Sequence, residues 1–454
     1  MRRRVEARPA CSRPEATKKD PEEKQHRQPE ATRGRTYSSV LLNFGKCVLL
    51  LIIIPPFLNY ASLQREEQML LPQGGQVVDV GLGQKMHLLC KGRGKPVVVL
   101  DAPAGMSSDT WLHVQESVSS VTQVCTYDRV GLGFSKRAFP NETTGTEKVW
   151  GLSTTGRMVD DLQRLLRAAN ISMPFILAGS ELGALNSRFY AHIHDVQVSD
   201  LVLIDPIPDE VFEEQQWNEY WYGKLLPSLH AQQLSAAAGL SRILIILGVL
   251  EPSIKGENVS EEVVQRQKYL LSNPVHQSSA VDEHYFMNES AAQVRDITKF
   301  KPLSSMISVS VLTGDLFDQQ MPEHLNQMVA KLQTRFLKES YPSANHIHIK
   351  GADRRMIYKK PSAISQHLKR LVNQRQASQQ SPPGQLQETL HSPFLLGIIH
   401  HSPLHCCGLL STSRQTHGPQ RTPEPVCLLW GASRWEYLDS PPPQTPVQPH
   451  TLSS

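Results

Sequence analysis

The chain has 454 residues, of which 39% are hydrophobic and 20% charged, and its 47 basic and 43 acidic side chains give a net charge of +4. This composition excludes a wholly disordered chain, a collagen, a disulfide-rich miniprotein and a polytopic membrane protein, because it suffices for one large core but not for many spans. The charge is unevenly distributed, since residues 1–46 carry 12 basic and only 6 acidic side chains. The net positive charge therefore lies at the N-terminus.

The N-terminal region combines a basic leader with an apolar run. Residues 1–37 are rich in Arg, Glu, Lys and Pro, which predicts a disordered basic segment. Residues 38–63 are apolar apart from a few positions such as Lys46, and are long enough for a bilayer core of roughly 30 Å. The basic flank predicts a cytosolic N-terminus and a single-pass type II signal anchor, with the rest of the chain lumenal or extracellular, in the endoplasmic reticulum or secretory pathway. A cleaved signal peptide and a buried core helix are the alternatives.

Four N-glycosylation motifs follow the apolar run. They begin at Asn141, Asn170, Asn258 and Asn288. Because none precedes the run, they favour a lumenal, glycosylated main domain.

From residue 76 to 375, short β-branched runs alternate with amphipathic segments. The strands are predicted at 76–80, 86–90, 97–102, 123–127, 175–178, 201–204, 307–312 and 346–349, and only the first two are expected to pair antiparallel. Such alternation predicts an α/β fold with a mostly parallel sheet and helices on both faces. The alternation lapses at about 207–301, which predicts a helical cap.

Residues 376–454 form a Pro-, Ser- and His-rich tail that is predicted to be disordered. Cys406 and Cys407 lie beside several histidines, but their spacing fits no common zinc pattern. The chain also lacks a phosphate-binding glycine loop and a basic stripe. We therefore expect no metal, no cofactor, and no binding of nucleotides or nucleic acid.

One strand-to-helix turn carries the main functional signal. Residues 175–185 read FILAGSELGAL, an apolar strand followed by glycines two positions before and two positions after Glu181. Small flanking residues allow a strained turn that exposes one side chain, which is the layout of a nucleophile elbow. Ligands of open α/β sheets bind at this carboxyl edge of the strands.

The chain resembles the α/β-hydrolase superfamily. Besides the elbow, residues 127–135 read YDRVGLGFS and are similar to the YDRxGxGxS segment of those enzymes, and 201–206 reads LVLIDP. The resemblance spans about residues 76–374. It implies a triad of nucleophile, histidine and acid, held by loops after the strands.

The catalytic slots depart from that pattern. Glu181 occupies the nucleophile slot, with Ser180 as its neighbour, and the histidine slot before Pro361 holds Arg354. An arginine stays protonated and cannot act as a base. The acid slot is filled by Asp315 or Asp318, and a charge pair between Glu181 and Arg354 is a further hypothesis.

Two functions follow from these slots. The first is a pseudoenzyme, a non-catalytic binding or scaffold domain for an unknown apolar ligand or protein partner. The second is an ester or lipid hydrolase with a rearranged site that uses Ser180 or Glu181 with His346 or His348. Pro103 has no N–H for an oxyanion, which favours the first.

Two structural alternatives also remain open. In the resembled fold, Cys90 and Cys125 lie on neighbouring strands, so they form either a disulfide or two buried thiols. The cap aromatics either line a ligand pocket or, preferably, pack the cap onto the core; they are Trp217, Tyr220, Trp221 and Tyr222.

Overall fold

The computed structural model describes residues 33–138, 153–255 and 259–380. In this part of the chain, eight strands form one sheet in the order β1-β2-β4-β3-β5-β6-β7-β8. The strands are β1 (Gly75–Gly81), β2 (Gln84–Lys91), β3 (Val98–Asp101), β4 (Val124–Tyr127), β5 (Phe175–Ser180), β6 (Val198–Ile204), β7 (Ser308–Gly314) and β8 (Asn345–Ile349). All eight predicted strands are present.

The sheet is mostly parallel, as predicted. β2 pairs antiparallel with β1, and also antiparallel with β4, where only the pairing of the first two strands was expected. The remaining neighbours, from β4 through β3 to β8, pair in parallel. The carboxyl ends of β3, β5, β6, β7 and β8 therefore meet at one edge of the sheet.

Helices cover both faces of the sheet and form the cap. Those of the main domain are α2 (Leu112–Val118), α3 (Thr155–Ala168), α4 (Leu182–Ile193), α11 (Glu323–Ser340), α12 (Met356–Lys359) and α13 (Pro361–Gln380). The cap lies between β6 and β7 and contains α5 (Gln215–Tyr220), α6 (Leu226–Ala237), α7 (Leu240–Ile246), α8 (Glu261–Ser272), α9 (Pro274–Tyr285) and α10 (Met287–Phe300).

The core has two layers because successive strand residues face opposite sides of the sheet. Val99 and Leu177 belong to one buried cluster, whereas their neighbours Val98 and Ile176 belong to the other. A third cluster joins the cap to the domain. It contains Trp217 and Trp221, each 1% exposed, packed with Leu182 of the main domain. The cap tryptophans thus pack the cap onto the core, as preferred from the sequence.

Two helices extend past the predicted segment boundaries. Helix α1 (Arg33–Leu70) begins inside the segment predicted to be disordered and continues past residue 63. At the other end, α13 runs to Gln380, and Gln376 donates a hydrogen bond to the Lys95 carbonyl at 3.0 Å. At the C-terminal ends of both helices, tertiary contacts such as Glu66 with Arg242 hold the extension, and local composition does not report them. The rest of the predicted tail and the leader before Arg33 lie outside the described residues.

Helix α1 contains the apolar run, and residues Leu41–Leu70 have the length and hydropathy to cross a membrane. Its large apolar side chains between Leu41 and Leu58 are exposed, so this part is not the buried core helix of the alternative prediction. An N-terminal apolar helix is consistent with either an anchor or a signal sequence.

Cys90 and Cys125 lie directly opposite each other on β2 and β4 and are joined by a disulfide. Two of the four glycosylation motifs lie in the described part of the chain. Asn170, after α3, and Asn288, in α10, are both exposed. Asn141 and Asn258 fall outside the described residues.

Candidate functional site

The elbow is formed by the turn between β5 and α4. Glu181 has a positive φ of 54°, a backbone conformation that is strained for a non-glycine residue. A Cβ on Gly179 would lie 2.0 Å from the Gly183 carbonyl oxygen, and one on Gly183 would lie 2.5 Å from that of Asp101. These glycines are therefore required for the tight turn, and Glu181 is the side chain that the turn presents.

Ser180 is the last residue of β5 and is fully buried. Its hydroxyl oxygen has no hydrogen-bond partner among the described residues, and Ser180 does not belong to the lining of the cavity described below. The serine is therefore placed in the sheet, not at the exposed apex of the elbow.

The structure brings Glu181 and Arg354 together. Arg354 Nη1 lies 3.6 Å from Glu181 Oε1, and Arg354 Nε lies 2.9 Å from Asp318 Oδ2. The two carboxylates are almost completely buried, with side chains 4% and 5% exposed. Burial alone would lower the pKa of Arg354, but these carboxylates raise it above the usual arginine value. The arginine therefore remains a cation that faces both carboxylates.

The other acid and the strand histidines have different partners. Asp315 is half exposed and accepts hydrogen bonds from the Gly351 amide at 2.6 Å and from His348 at 2.7 Å. His346 is hydrogen-bonded to Thr313 at 2.8 Å. Of the two acid candidates, the structure thus places Asp318 beside Arg354. Neither His346 nor His348 belongs to the residues that line the cavity at the elbow.

That cavity has a volume of about 410 Å³ and lies between the carboxyl edge of the sheet and the cap. Its lining combines apolar cap residues, such as Leu225 and Leu229, with charged ones. Glu181 is its one acidic residue, against the four cations Lys255, Arg354, Arg355 and Lys359, within the described part of the chain. Three of these cations, Lys255, Arg354 and Arg355, each already pair with a carboxylate of the chain.

Two cap histidines that sequence reasoning missed also line this cavity. His284 Nδ1 donates to the Ala280 carbonyl at 2.7 Å, which leaves Nε2 as an acceptor, and burial lowers the pKa of His284. His276 Nδ1 accepts from the Gly133 amide at 3.0 Å, and burial lowers its pKa to about 4. Both are therefore neutral at pH 7. Their only signal in the sequence is their presence in the insertion.

A buried arginine links the cap to the loop after β3. Arg129, from the YDRVGLGFS segment, bonds Asp101 at 2.6 Å and both oxygens of Glu283 at 2.7 and 2.8 Å. Glu283 Oε2 also accepts the Gly105 amide at 2.7 Å. An amide of this loop donates to the oxyanion in hydrolases of this layout. Here the Gly105 donor already binds a carboxylate of the same chain.

Asp205 lies behind the elbow, directly after β6. It is 1% exposed and adopts a positive φ of 43°. Burial raises its pKa to about 8, and the nearby charge of Glu181 adds to this effect, while a hydrogen bond from Gln333 opposes it. The site therefore holds a carboxylic acid, Asp205, that is largely protonated at neutral pH.

No group of three or more potential metal-ligating side chains occurs among residues 33–138, 153–255 and 259–380. Within those ranges, the site offers one ion pair, two neutral histidines and one protonated acid, which are groups for binding and proton transfer.

The architecture and the elbow define the class of protein. A family model for the alpha/beta hydrolase fold matches residues 88–229. The Cif epoxide hydrolase from Acinetobacter nosocomialis superposes with a TM-score of 0.51 and 16% identity over 70% of this chain and 96% of its own. A laboratory-evolved variant of a potato epoxide hydrolase superposes with a TM-score of 0.51 and 15% identity, over 66% of this chain and 99% of its own. The chain has the α/β-hydrolase fold.

Sequence relatives agree with this fold. An AB hydrolase superfamily protein from Gibberella zeae is 24% identical over 326 residues, which is 65% of this chain and 94% of that protein. The uncharacterized protein YqjL from Bacillus subtilis is 27% identical over 116 residues, and the probable transporter efuK from Hormonema carpetanum is 31% identical over 109. These alignments span only 42% and 14% of the latter two proteins. The family model and these relatives agree with the α/β-hydrolase fold of the chain.

Proposed function

We propose that this protein is a membrane-anchored pseudo-hydrolase, which binds a ligand or partner through its α/β-hydrolase-fold domain and performs no acyl transfer. The observation that carries the proposal is the ion pair of Glu181 with Arg354. The nucleophile slot holds a carboxylate and the histidine slot holds the cation that faces it, so both groups of a serine hydrolase are missing.

Three further features support the loss of acyl-transfer chemistry. Asp318 holds Arg354 in place at 2.9 Å, Glu283 occupies the Gly105 amide, and Ser180 is buried in β5. Restoring acyl transfer would require changes at all three places. The cavity remains, and its lining of apolar side chains and paired charges can receive a ligand or a segment of a partner.

The purified full chain is expected to show no labelling by a fluorophosphonate probe and no hydrolysis of p-nitrophenyl butyrate or styrene oxide. An active hydrolase of the same fold serves as the assay control. Labelling that disappears in the Ser180→Ala variant would contradict the proposal, since it would make the buried serine a nucleophile.

A second candidate function has a specific observation in its favour. His284 lines the same cavity as Glu181, is neutral, and has Nε2 as an acceptor, which are the properties of a general base. With it, Glu181 would attack a carbon of an epoxide substrate and break its C–O bond, and the released alkoxide would take a proton from water. His284 would then activate the water that cleaves the resulting ester, which frees Glu181 and the diol product. Such a carboxylate-type hydrolase would replace the missing base with a cap residue.

Three variants distinguish the two functions by their effect on turnover. Turnover lost in both Glu181→Gln and His284→Gln, but kept in His230→Gln, would establish the second function and exclude the first. His230 is a matched control because it lies exposed on cap helix α6, outside the cavity lining. If the parent chain shows no turnover, the second function is excluded and the pseudo-hydrolase function is supported.

The membrane anchor and the lumenal topology are part of the proposal. The exposed apolar side chains of α1 and the basic leader support them. In the expressed full chain, peptide N-glycosidase is expected to increase the gel mobility, and Asn170→Gln and Asn288→Gln should each remove one step of that shift, because both side chains are exposed. Mobility that the enzyme leaves unchanged would place the domain on the cytosolic side.

A further inference from the structure

The C-terminal half of α1 is fixed to the cap. Asn59 is 2% exposed, and its amide donates to the carbonyls of Ala236 at 3.1 Å and Ser272 at 2.9 Å. Its oxygen accepts from Arg242 at 2.9 Å, and Arg242 pairs with Glu66 at 2.7 Å. These bonds connect α1 with three cap helices, α6, α7 and α8, so the span and the cap form one packed unit.

The point of closest approach lies within the apolar run. A Cβ on Gly239, which precedes α7, would be 2.4 Å from the Pro55 carbonyl oxygen. Phe57 and Leu58, which follow Pro55, are still 70% and 57% exposed. The first turn of α7 therefore lies beside a part of α1 that is apolar and uncovered by protein.

An exposed apolar surface begins at this contact. The cap patch consists of side chains of α7 and the turn after it that are 39% to 78% exposed, namely Leu240, Ile243, Ile246, Leu247 and Val249. Single exposed apolar residues are normal, but a contiguous group marks a contact with a partner or a membrane. The patch adjoins the exposed apolar side chains of α1, such as Ile54 at 45%.

We propose that the cap patch lies in the bilayer beside α1, with its apolar side chains among the acyl chains of the leaflet from which the domain emerges. This inference rests on the proposed membrane anchor. A bilayer is the occupant that the structure favours, because the start of α7 lies against Pro55 of the apolar run and the Asn59 and Arg242 contacts hold the cap to α1. The cap is then a second membrane contact, which fixes how the domain stands on the bilayer.

The test uses the full chain in phosphatidylcholine nanodiscs that contain a phospholipid with a diazirine in its acyl chain. After irradiation and trypsin digestion, mass spectrometry measures lipid adducts on three peptides. Peptide 243–255 contains most of the cap patch, peptide 47–65 contains the span, and peptide 300–331 contains Phe300 and Met306, which are 86% and 82% exposed elsewhere. Adducts are expected on the first two peptides only.

A double substitution in the cap patch tests whether its apolar side chains make the lipid contact. Ile246→Asp with Leu247→Asp should lower the adduct yield of peptide 243–255 by about tenfold, because a carboxylate is costly among acyl chains. The matched Phe300→Asp with Met306→Asp variant should leave it unchanged. Adducts on the span but not on 243–255 would overturn the inference and would be expected if a second copy of the chain covered the patch. A span without adducts would instead contradict the anchor itself.

Discussion

Replacement of Arg129 by methionine is expected to lower the free energy of unfolding by about 3–5 kcal/mol. Asp101 and Glu283, which are 1% and 2% exposed, would then be two buried carboxylates without their cation. The loss would be a large part of the roughly 5–15 kcal/mol that stabilise a typical domain. Chemical denaturation of the detergent-solubilised full chain measures it.

Two variants control for this interpretation. Arg164→Met removes an arginine that pairs with Asp160 at 2.9 Å on the surface, where both side chains are 37% exposed. It should cost less than about 1 kcal/mol. Arg129→Met combined with Asp101→Asn and Glu283→Gln removes the whole charge set and should recover part of the stability. Equal losses for Arg129→Met and Arg164→Met would contradict a buried network.

The local sequence pattern was sufficient to predict the strands of the sheet and the turn of the elbow. The β-branched runs predicted all eight strands, and the glycines around Glu181 predicted the turn because they act through contacts within a few residues. Counting back from Pro361 placed Arg354 in the histidine slot, and its contact with Glu181 at 3.6 Å agrees with the hypothesised charge pair. The strands and the elbow depend on contacts within a few residues, and the position of Arg354 follows from the order of strands in the resembled fold.

The residues that the cap contributes to the site could not be predicted from the local sequence pattern. His284 and Glu283 reach the site from a helix more than 100 residues after the elbow, and nothing in helical periodicity tells which face meets the sheet. Likewise, Asn59 bonds residues 177 and 213 positions away. The burial of Asp205 could not be derived either, because the strand pattern places it at a strand end without showing that the cap and α11 exclude water.

Asp205 is expected to make stability fall as the pH rises from about 4 to about 8. Its ordinary pKa is about 3.9, as in the unfolded chain, whereas burial raises it to about 8 in the folded chain. Between these values, only the folded state holds the proton, so the limiting slope is about 1.4 kcal/mol per pH unit. Below about pH 4 and above about pH 8, this group contributes no slope, because both states have the same protonation.

The Asp205→Asn variant isolates this effect. Asparagine retains the oxygen that accepts from Gln333 and tolerates the positive φ, but it does not titrate. The difference in thermal unfolding temperature between variant and parent should therefore grow in favour of the variant across pH 4–8. Buried histidines such as His276 affect both proteins equally and cancel in this difference. Parallel pH profiles would show that Asp205 is ionised in the folded protein.

A second variant tests the source of the shift. Because the charge of Glu181 adds to the pKa of Asp205, Glu181→Gln should lower that pKa and end the falling part of the stability profile at a lower pH. An unchanged end point would mean that burial alone holds the proton. The same measurement thus reports whether the elbow carboxylate carries its charge in the folded protein, which is what its pairing with Arg354 requires.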